Sequence, residues 1–544
     1  MKPKETRTIY TICNCGITKL LYAIVCSLVS LFCVTGCIEH NYKKEADEQV
    51  YSIIDRKWQK DFGTKANYRI SDVAPSPNDI QIERTVPASG ILTLRDAVAL
   101  TTAHNREYQA QKEALYIKAL DLRLTRHEFE NQFFGGASGR YTADRNDEVL
   151  GTEANIGFTR LLAGGTRIST TVAAAWADVL TGNLRSGVAS ILNATVTQPL
   201  LRGSDRRVVL ENLTQAERDT LYQVRSFNRF RKTFVVTIIS QYYGVLQRFD
   251  AVQNARRNYN TLTSVSERVE KLANAGRVPQ LELERVRQEK LRALNIYIMA
   301  EKEYKQGLDE FKITLSLPTT AEFRLDEDEF EALRAAEMTV PEFSEAEVVE
   351  AALLQRLDLV NSADAIIDAQ RKVFVAADSL RAELNLVGSA NTISAGRANR
   401  QTLGWLREEY GLGFQLDLQL DRVPEQHIYR IALITLSQRQ REYEQAADIV
   451  TLQVRQAHRD LVEAADRYKV LSEGLELAQK RFKNTYLLLQ YGRVSSRRVL
   501  SAQDDLFDAQ NAAAQALLDY TVATLNFYRD TGVLQVRPDG MWEH

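Results

Sequence analysis

The side chains able to do chemistry are scattered in this sequence. Its six histidines (His40, His104, His127, His427, His458 and His544) include no pair at a helical spacing suited to a metal ion. There is no phosphate loop and no nucleophile elbow. The stretch "GGASGR" (Gly135–Arg140) lacks the spacing of a dinucleotide fingerprint and stands where a strand should begin. The acidic run "RLDEDEFEALRAAE" (Arg324–Glu337) lacks the ligand order and central glycine of a calcium loop, so it reads as a solvated belt. These residues predict no enzyme, no metal and no cofactor.

The cysteines carry one chemical expectation. All five lie in the first stretch, at Cys13, Cys15, Cys26, Cys33 and Cys37. Basic residues (Lys2, Lys4, Arg7, Lys19) precede an apolar run, Leu20–Val34, and small residues follow it. That order predicts a signal peptide over residues 1–36, the other reading being a membrane anchor. "VTGC" (Val34–Cys37) resembles the cleavage box of bacterial lipoproteins, which implies acylation of Cys37 at the head of a mature chain of 544 − 36 = 508 residues. Ile38 and Glu39 follow, with no Asp to imply retention in the inner membrane. One lipid is a tether and not a span, and no later apolar run is long enough to cross a membrane as a helix.

Bulk properties narrow the class. The chain has 544 residues, 44% hydrophobic and 26% charged, and a net charge of -2. It is too long for one ordinary core and has no basic footprint, so no nucleic-acid partner is expected.

Long helices must fill most of the length. Gly-Arg-Val occurs twice, as Gly276, Arg277 and Val278 and as Gly492, Arg493 and Val494. Glycine is the residue that ends helices, and each copy sits between long stretches almost free of Pro and Gly. Before the second copy, Tyr468, Leu471, Leu475, Ala478, Phe482, Thr485 and Leu489 alternate steps of three and four; before the first, Val252 to Ala273 keep the same register. This is a coiled-coil seam. The spacing predicts a long helix over 205–275, a turn, and a return helix over 278–316; then 427–490 and 494–531. "LTLRDAVALTTAHNREY" (Leu92–Tyr108) aligns with "FSEAEVVEAALLQRLDL" (Phe343–Leu359), each leading a helix into an extended zone. The organisation read is a lipidated N-terminal arm (37–90), a first repeat (91–317, strands 133–201), an acidic connector (318–342), a second repeat (343–533, strands 384–421) and a tail (534–544). The arm reads as extended.

The clearest strand is "GLGFQLDLQLD" (Gly411–Asp421). Leu412, Phe414, Leu416, Leu418 and Leu420 face one way, Gln415, Asp417 and Gln419 the other. Ten alternating residues suffice for a tilted strand to cross a bilayer, with the leucine face on lipid and the polar face on a lumen. Weaker alternation runs through Ile168–Trp176 and Val188–Val196. Only a closed barrel crosses lipid without bare backbone groups, and this chain has too few strands to close one alone. Several copies must therefore pool their strands.

From Leu92 to Val533 the chain resembles the TolC-like outer-membrane efflux proteins. The resemblance rests on "LTLRDAVALTTAHN", "VTQPLLRG" (Val196–Gly203), the doubled Gly-Arg-Val and "VLSAQDDLFDAQNAAAQALLDYTVATLNFYRDTGV" (Val499–Val533). It implies a mainly α fold with coiled-coil hairpins forming a helical barrel, a 12-stranded β-barrel shared by a homotrimer in the outer membrane, and a periplasmic adaptor and inner-membrane pump as partners. Two departures stand out. The first strand zone is about twice the length of the second, and Glu153–Leu180 reads as an additional hairpin, leaving the strand count open. The family's acidic positions after the second turn are Arg498 and Ser501 here, while Glu282 follows the first, so Glu282 and Arg498 of adjacent hairpins form a candidate tip gate, the alternative being two solvated surface charges. The tunnel does not encode its cargo: small-molecule efflux and type I polypeptide secretion both fit. The competing classes are a non-channel structural periplasmic lipoprotein and a periplasmic adaptor, which would have one hairpin instead of two.

Overall fold

The computed structural model describes residues 39–58, 62, 65, 67–70, 90–143, 148–179, 185–336, 343–397, 407–491, 493–537 and 542–543. The signal region, Cys37 and Gly492 lie outside them. Helix α1 (Glu39–Lys57) lies, up to Arg56, in an N-terminal unit, so from Glu39 the arm is a helix and not the extended segment its composition suggested.

The larger unit starts at Lys57. Its first half contains β1 (Ile91–Leu92), α2 (Leu94–His104), α3 (Arg106–His127), β2 (Gln132–Ala143), β3 (Glu148–Leu161), β4 (Arg167–Val179), β5 (Arg185–Pro199), α4 (Arg206–Val209), α5 (Glu211–Asn274) and α6 (Gln280–Thr314). A connector holds β6 (Arg324–Leu325) and α7 (Asp328–Ala335). The second half contains α8 (Glu345–Gln355), α9 (Leu357–Asp378), β7 (Glu383–Arg397), β8 (Arg407–Asp417), α10 (Val423–Gln490) and α11 (Ser496–Thr531), followed by β9 (Gln535–Val536) and β10 (Trp542–Glu543).

Local chemistry sets the helix ends. Thr93 caps α2 by accepting from the Asp96 N–H, Asn105 caps α3 by accepting from the Tyr108 N–H, and Ser344 with Glu347 forms a capping box on α8. The 64-residue α5 stops where Gly276 takes φ +69°; the Arg277 N–H reaches the Leu272 carbonyl and the Gly276 N–H the Ala273 carbonyl. That bonding pattern satisfies the last carbonyls and needs a residue free of a Cβ penalty. The 68-residue α10 ends with the equivalent bond from the Arg493 N–H to the Leu488 carbonyl.

Four long helices form the wall. α5 packs on α6 and on α11, and α11 packs on α10, so the lateral order is α6, α5, α11, α10. Near the turns, Leu262, Val265 and Val269 of α5, Leu283 and Val286 of α6, Leu489 of α10 and Val499 of α11 bury one another. The shorter helices complete the columns. The Asn105 side-chain amide donates to the Thr314 carbonyl, setting the start of α3 on the end of α6, beside α5. Gln355, next to the start of α9, lies against Gly532 at the end of α11, beside α10.

The six long strands make one antiparallel sheet ordered β2-β3-β4-β5-β7-β8. Four strands come from the first half and two from the second. Three copies with four strands each would give the twelve that the family resemblance implies; among the described residues this sheet has six. The additional hairpin is β3–β4, closed by a turn in which Gly165 has φ +81°. A side chain there would strike the Gly203 carbonyl and Pro199, so the turn is seated on the chain leaving β5.

The acidic run is not wholly solvated. β6 pairs with β1, Phe330 is buried, and Glu329 accepts from the Leu94 N–H at the start of α2. Burial pushes the Glu329 carboxyl above its usual range despite that hydrogen bond. No cluster of metal-ligating side chains occurs among the described residues.

Candidate pore-forming surfaces

Alternation along each strand and the register across the sheet separate two faces. One row runs Phe133, Phe158, Thr170, Ala194, Ala390, Tyr410 across all six strands. The adjacent row, on the opposite face, runs Gln132, Thr159, Ser169, Thr195, Ser389, Gly411. Leu412, Phe414 and Leu416 stand on the first face, and Leu412 is 79% exposed and Phe414 73%. Gln415 and Asp417 stand on the second. β8 ends at Asp417, so Leu418, Gln419 and Leu420 fall beyond the strand. Leu418 and Leu420 are exposed there, while Gln419 accepts a hydrogen bond from Arg202 instead of lining a strand face. The alternation of hydrophobicity continued past the strand's last ladder bond, and sequence spacing alone does not show where pairing stops.

The shortest of these strands has 11 residues, enough to cross a bilayer at a tilt. No helix among the described residues is long and apolar enough to do so. β2 and β8 are the sheet edges. β2 was hard to see in sequence because glycines replace its apolar positions: Gly135 and Gly139 occupy the face that carries Phe133 and Tyr141. The Phe134 ring covers Gly157 on its neighbour, where a Cβ would meet ring and backbone.

The wall has matching free flanks. On α10, Val470 and Leu477 are two-thirds exposed and seven residues apart. On α6, Leu291 and Ile298 repeat that spacing and are also exposed. These exposed apolar pairs, one per outer helix, are a feature that reading a single seam missed. The signal was present, since an apolar position recurring every seven residues off the main seam marks a second packing face.

At the turn end, Val278 packs on the shared apolar cluster. Glu282 accepts from the Ser496 hydroxyl at 2.7 Å and pairs with Arg285 at 3.0 Å. Arg498 is exposed and makes no ion pair within the chain among the described residues. The chain therefore brings Glu282 to the start of α11 without joining it to Arg498.

At the other end of the helices, charge locks α9 to α5. Arg218 pairs with Asp364 and Asp368, Arg225 with Asp364, and Arg371 with Asp368 and Glu211. Burial pushes the Asp368 carboxyl up, but hydrogen bonds from Tyr222, Arg371 and Gln215 outweigh it and hold it below the carboxylate range. Two lysines are sequestered nearer the C-terminal segment. Lys112 reaches the Thr102 carbonyl and Lys232 the Gly532 carbonyl, and burial lowers both to about 8.

No protein-family model matches the sequence, and no curated protein sequence matches it. Solved structures do. The channel CusC superposes with a TM-score of 0.59 at 16% identity, over 81% of this chain and 92% of CusC. The CmeC outer-membrane channel of Campylobacter jejuni gives 0.58 at 14%, over 87% and 91%. The MtrE outer-membrane channel of Neisseria gonorrhoeae, in its open state, gives 0.58 at 15%, over 82% and 90%.

Proposed function

Starting from the fold it shares with TolC-type outer-membrane channels, we propose that this chain is the tunnel subunit of a tripartite efflux system in a Gram-negative cell. Three copies assemble in the outer membrane, tethered by an acylated Cys37, and their helical wall crosses the periplasm to meet an adaptor and an inner-membrane pump. Similar helix and strand orders in the two halves support a duplicated plan.

One observation carries this reading: the chain is unfinished on both sides at both levels. A sheet with two bare edges and one apolar face is not stable as such in water or lipid. The outer helices α6 and α10 add apolar flanks on the corresponding sides. A ring of copies satisfies sheet and helices together. It puts Leu412, Phe414 and Leu416 on lipid and Gln415 and Asp417 on the lumen. Transport then needs no bond chemistry in this subunit, because the pump supplies the energy.

The turn ends are the periplasmic tip. Arg498 of one hairpin pairs with Glu282 of its neighbour to narrow the opening, and Arg498→Glu raises conductance by replacing attraction with repulsion. Unchanged conductance removes the gate. The function itself is tested by incorporating purified mature protein into planar bilayers. Discrete conductance steps and a heat-modifiable trimer on gels are expected. A soluble monomer without detergent, showing no conductance, overturns the reading.

A further inference from the structure

The extra hairpin changes the width of the sheet relative to the wall beneath it. Strands about 4.8 Å apart and tilted about 40° each occupy ~6.3 Å of a barrel's circumference. Six therefore span ~38 Å, and four would span ~25 Å, at that same spacing and tilt. Four wall helices at axial separations of about 8–10 Å span roughly 32–40 Å. Six strands match the arc of the four helices below them, and four strands fall short.

We propose that three copies close an 18-stranded outer-membrane barrel whose bore equals that of the helical tunnel, so that the membrane portal does not narrow the path. This rests on the tunnel reading above and deepens it. The match holds per chain, whatever the number of copies. For three, the barrel is roughly 36 Å across between backbone centres. Barrels of this strand number hold an aqueous channel.

Closure is chemically consistent. With six antiparallel strands, the first and last run in opposite directions, so β8 of one copy meets β2 of the next as an antiparallel pair. The two edges have similar lengths, 12 residues in β2 and 11 in β8. Both present the same sequence of faces, with Phe133 and Tyr141 on the apolar side of β2 and Leu412 and Phe414 on that of β8. The second copy's edge strand is therefore the occupant of each bare edge. The seat of the β3–β4 turn on Gly203, Pro199 and Val209 holds the added hairpin at the junction of sheet and wall.

The test uses the full protein, which has no cysteine after Cys37. Ser138→Cys on β2 is combined in turn with Glu409→Cys, Gly411→Cys and Gly413→Cys on β8, and oxidised in the membrane. A covalent ladder ending at three copies is expected for one register. A ladder ending at two copies, or no cross-link at any register, overturns the proposal. The bore is read by adding neutral polymers of graded size to the barrel side of the bilayer. Joining residue 143 to residue 185 through a short turn removes β3 and β4, and the largest polymer admitted should fall by at least about one third in diameter, since the backbone diameter falls by that share as strand number goes from eighteen to twelve and the lining side chains occupy the same width in both. An unchanged cut-off overturns the proposal. If the shortened chain does not insert, the cross-link ladder of the intact barrel decides alone. Conductance with a two-copy ladder defeats this inference only, whereas absence of both conductance and cross-links defeats the tunnel reading itself.

Discussion

The two halves of the large unit build similar helical walls and dissimilar sheets. Each has a short helix pair, strands, a helix of more than sixty residues and a return helix of 35 or 36 residues. The first half supplies four strands, the second two. A helical wall tolerates little variation, because each helix must meet neighbours along its whole length. A sheet grows by whole hairpins, since adding two antiparallel strands leaves the direction of both edges unchanged. The difference between the halves is thus one that leaves the two sheet edges antiparallel, as closure by a neighbouring copy would require.

The contact between the halves also differs from the packing inside the second. α9 is tied to α5 by ion pairs, whereas α8 and α9 meet α10 mainly through Val348, Ala352, Leu359, Val450 and Val454. Two cations on α5, the buried Arg231 and the half-buried Lys232, grip carbonyls of the C-terminal segment at Val536, Arg537 and Gly532.

Substitutions can break this comparison. The largest effect is expected on the sheet: Leu412→Arg on β8 and Ile156→Arg on β3 each cost about 2–4 kcal/mol if their shared face meets lipid, while Gln415→Arg is tolerated. Yield of heat-modifiable trimer measures this, and normal assembly of both leucine-face variants removes the lipid assignment. Next, Asp368→Asn leaves Arg218 and Arg371 short of a partner and costs about 3 kcal/mol, the low end for breaking a buried pair, because both guanidinium groups keep some solvent. The sign with pH follows from the lowered carboxyl. Its stabilisation is present above the ordinary value of 3.8 and is lost as pH falls through the folded value, so the variant should show a flatter acid limb in thermal unfolding.

The buried lysines act in the opposite direction. Their folded values of about 8 lie below the ordinary 10.5, so the unfolded chain binds more protons between those limits. Stability therefore rises with pH from about 8 to 10.5, and a Lys112→Met, Lys232→Met double variant should lose that slope. The smallest effect concerns the turns. Gly276→Ala costs about 1 kcal/mol for a left-handed residue, and Gly492→Ala should cost the same if the two turns are alike. Unequal melting temperatures would separate them.

The helical character and the presence of a sheet were legible because both are local. Steps of three and four persist through Tyr468–Leu489, and alternation persists through Leu412–Leu416, whatever surrounds them. The edge strand β2 was nearly illegible, since Gly135, Gly136 and Gly139 carry no hydrophobic signal. The partners Arg218, Asp364 and Asp368 were illegible too. They lie about 150 residues apart in sequence, and nothing local says that two helices will meet there.

The sequence by itself determined which segments are helical, where a helix must break at Gly276, and which face of β8 is apolar. Those follow from backbone sterics and from the two side-chain periods, which each segment carries alone. Only the tertiary structure decided that Glu153–Val179 joins the other strands as a full hairpin, that pairing stops at Asp417, and that apolar residues on the outer helices α6 and α10 stay exposed among the described residues. These depend on which backbone groups find partners across the fold, a choice that distant segments make together.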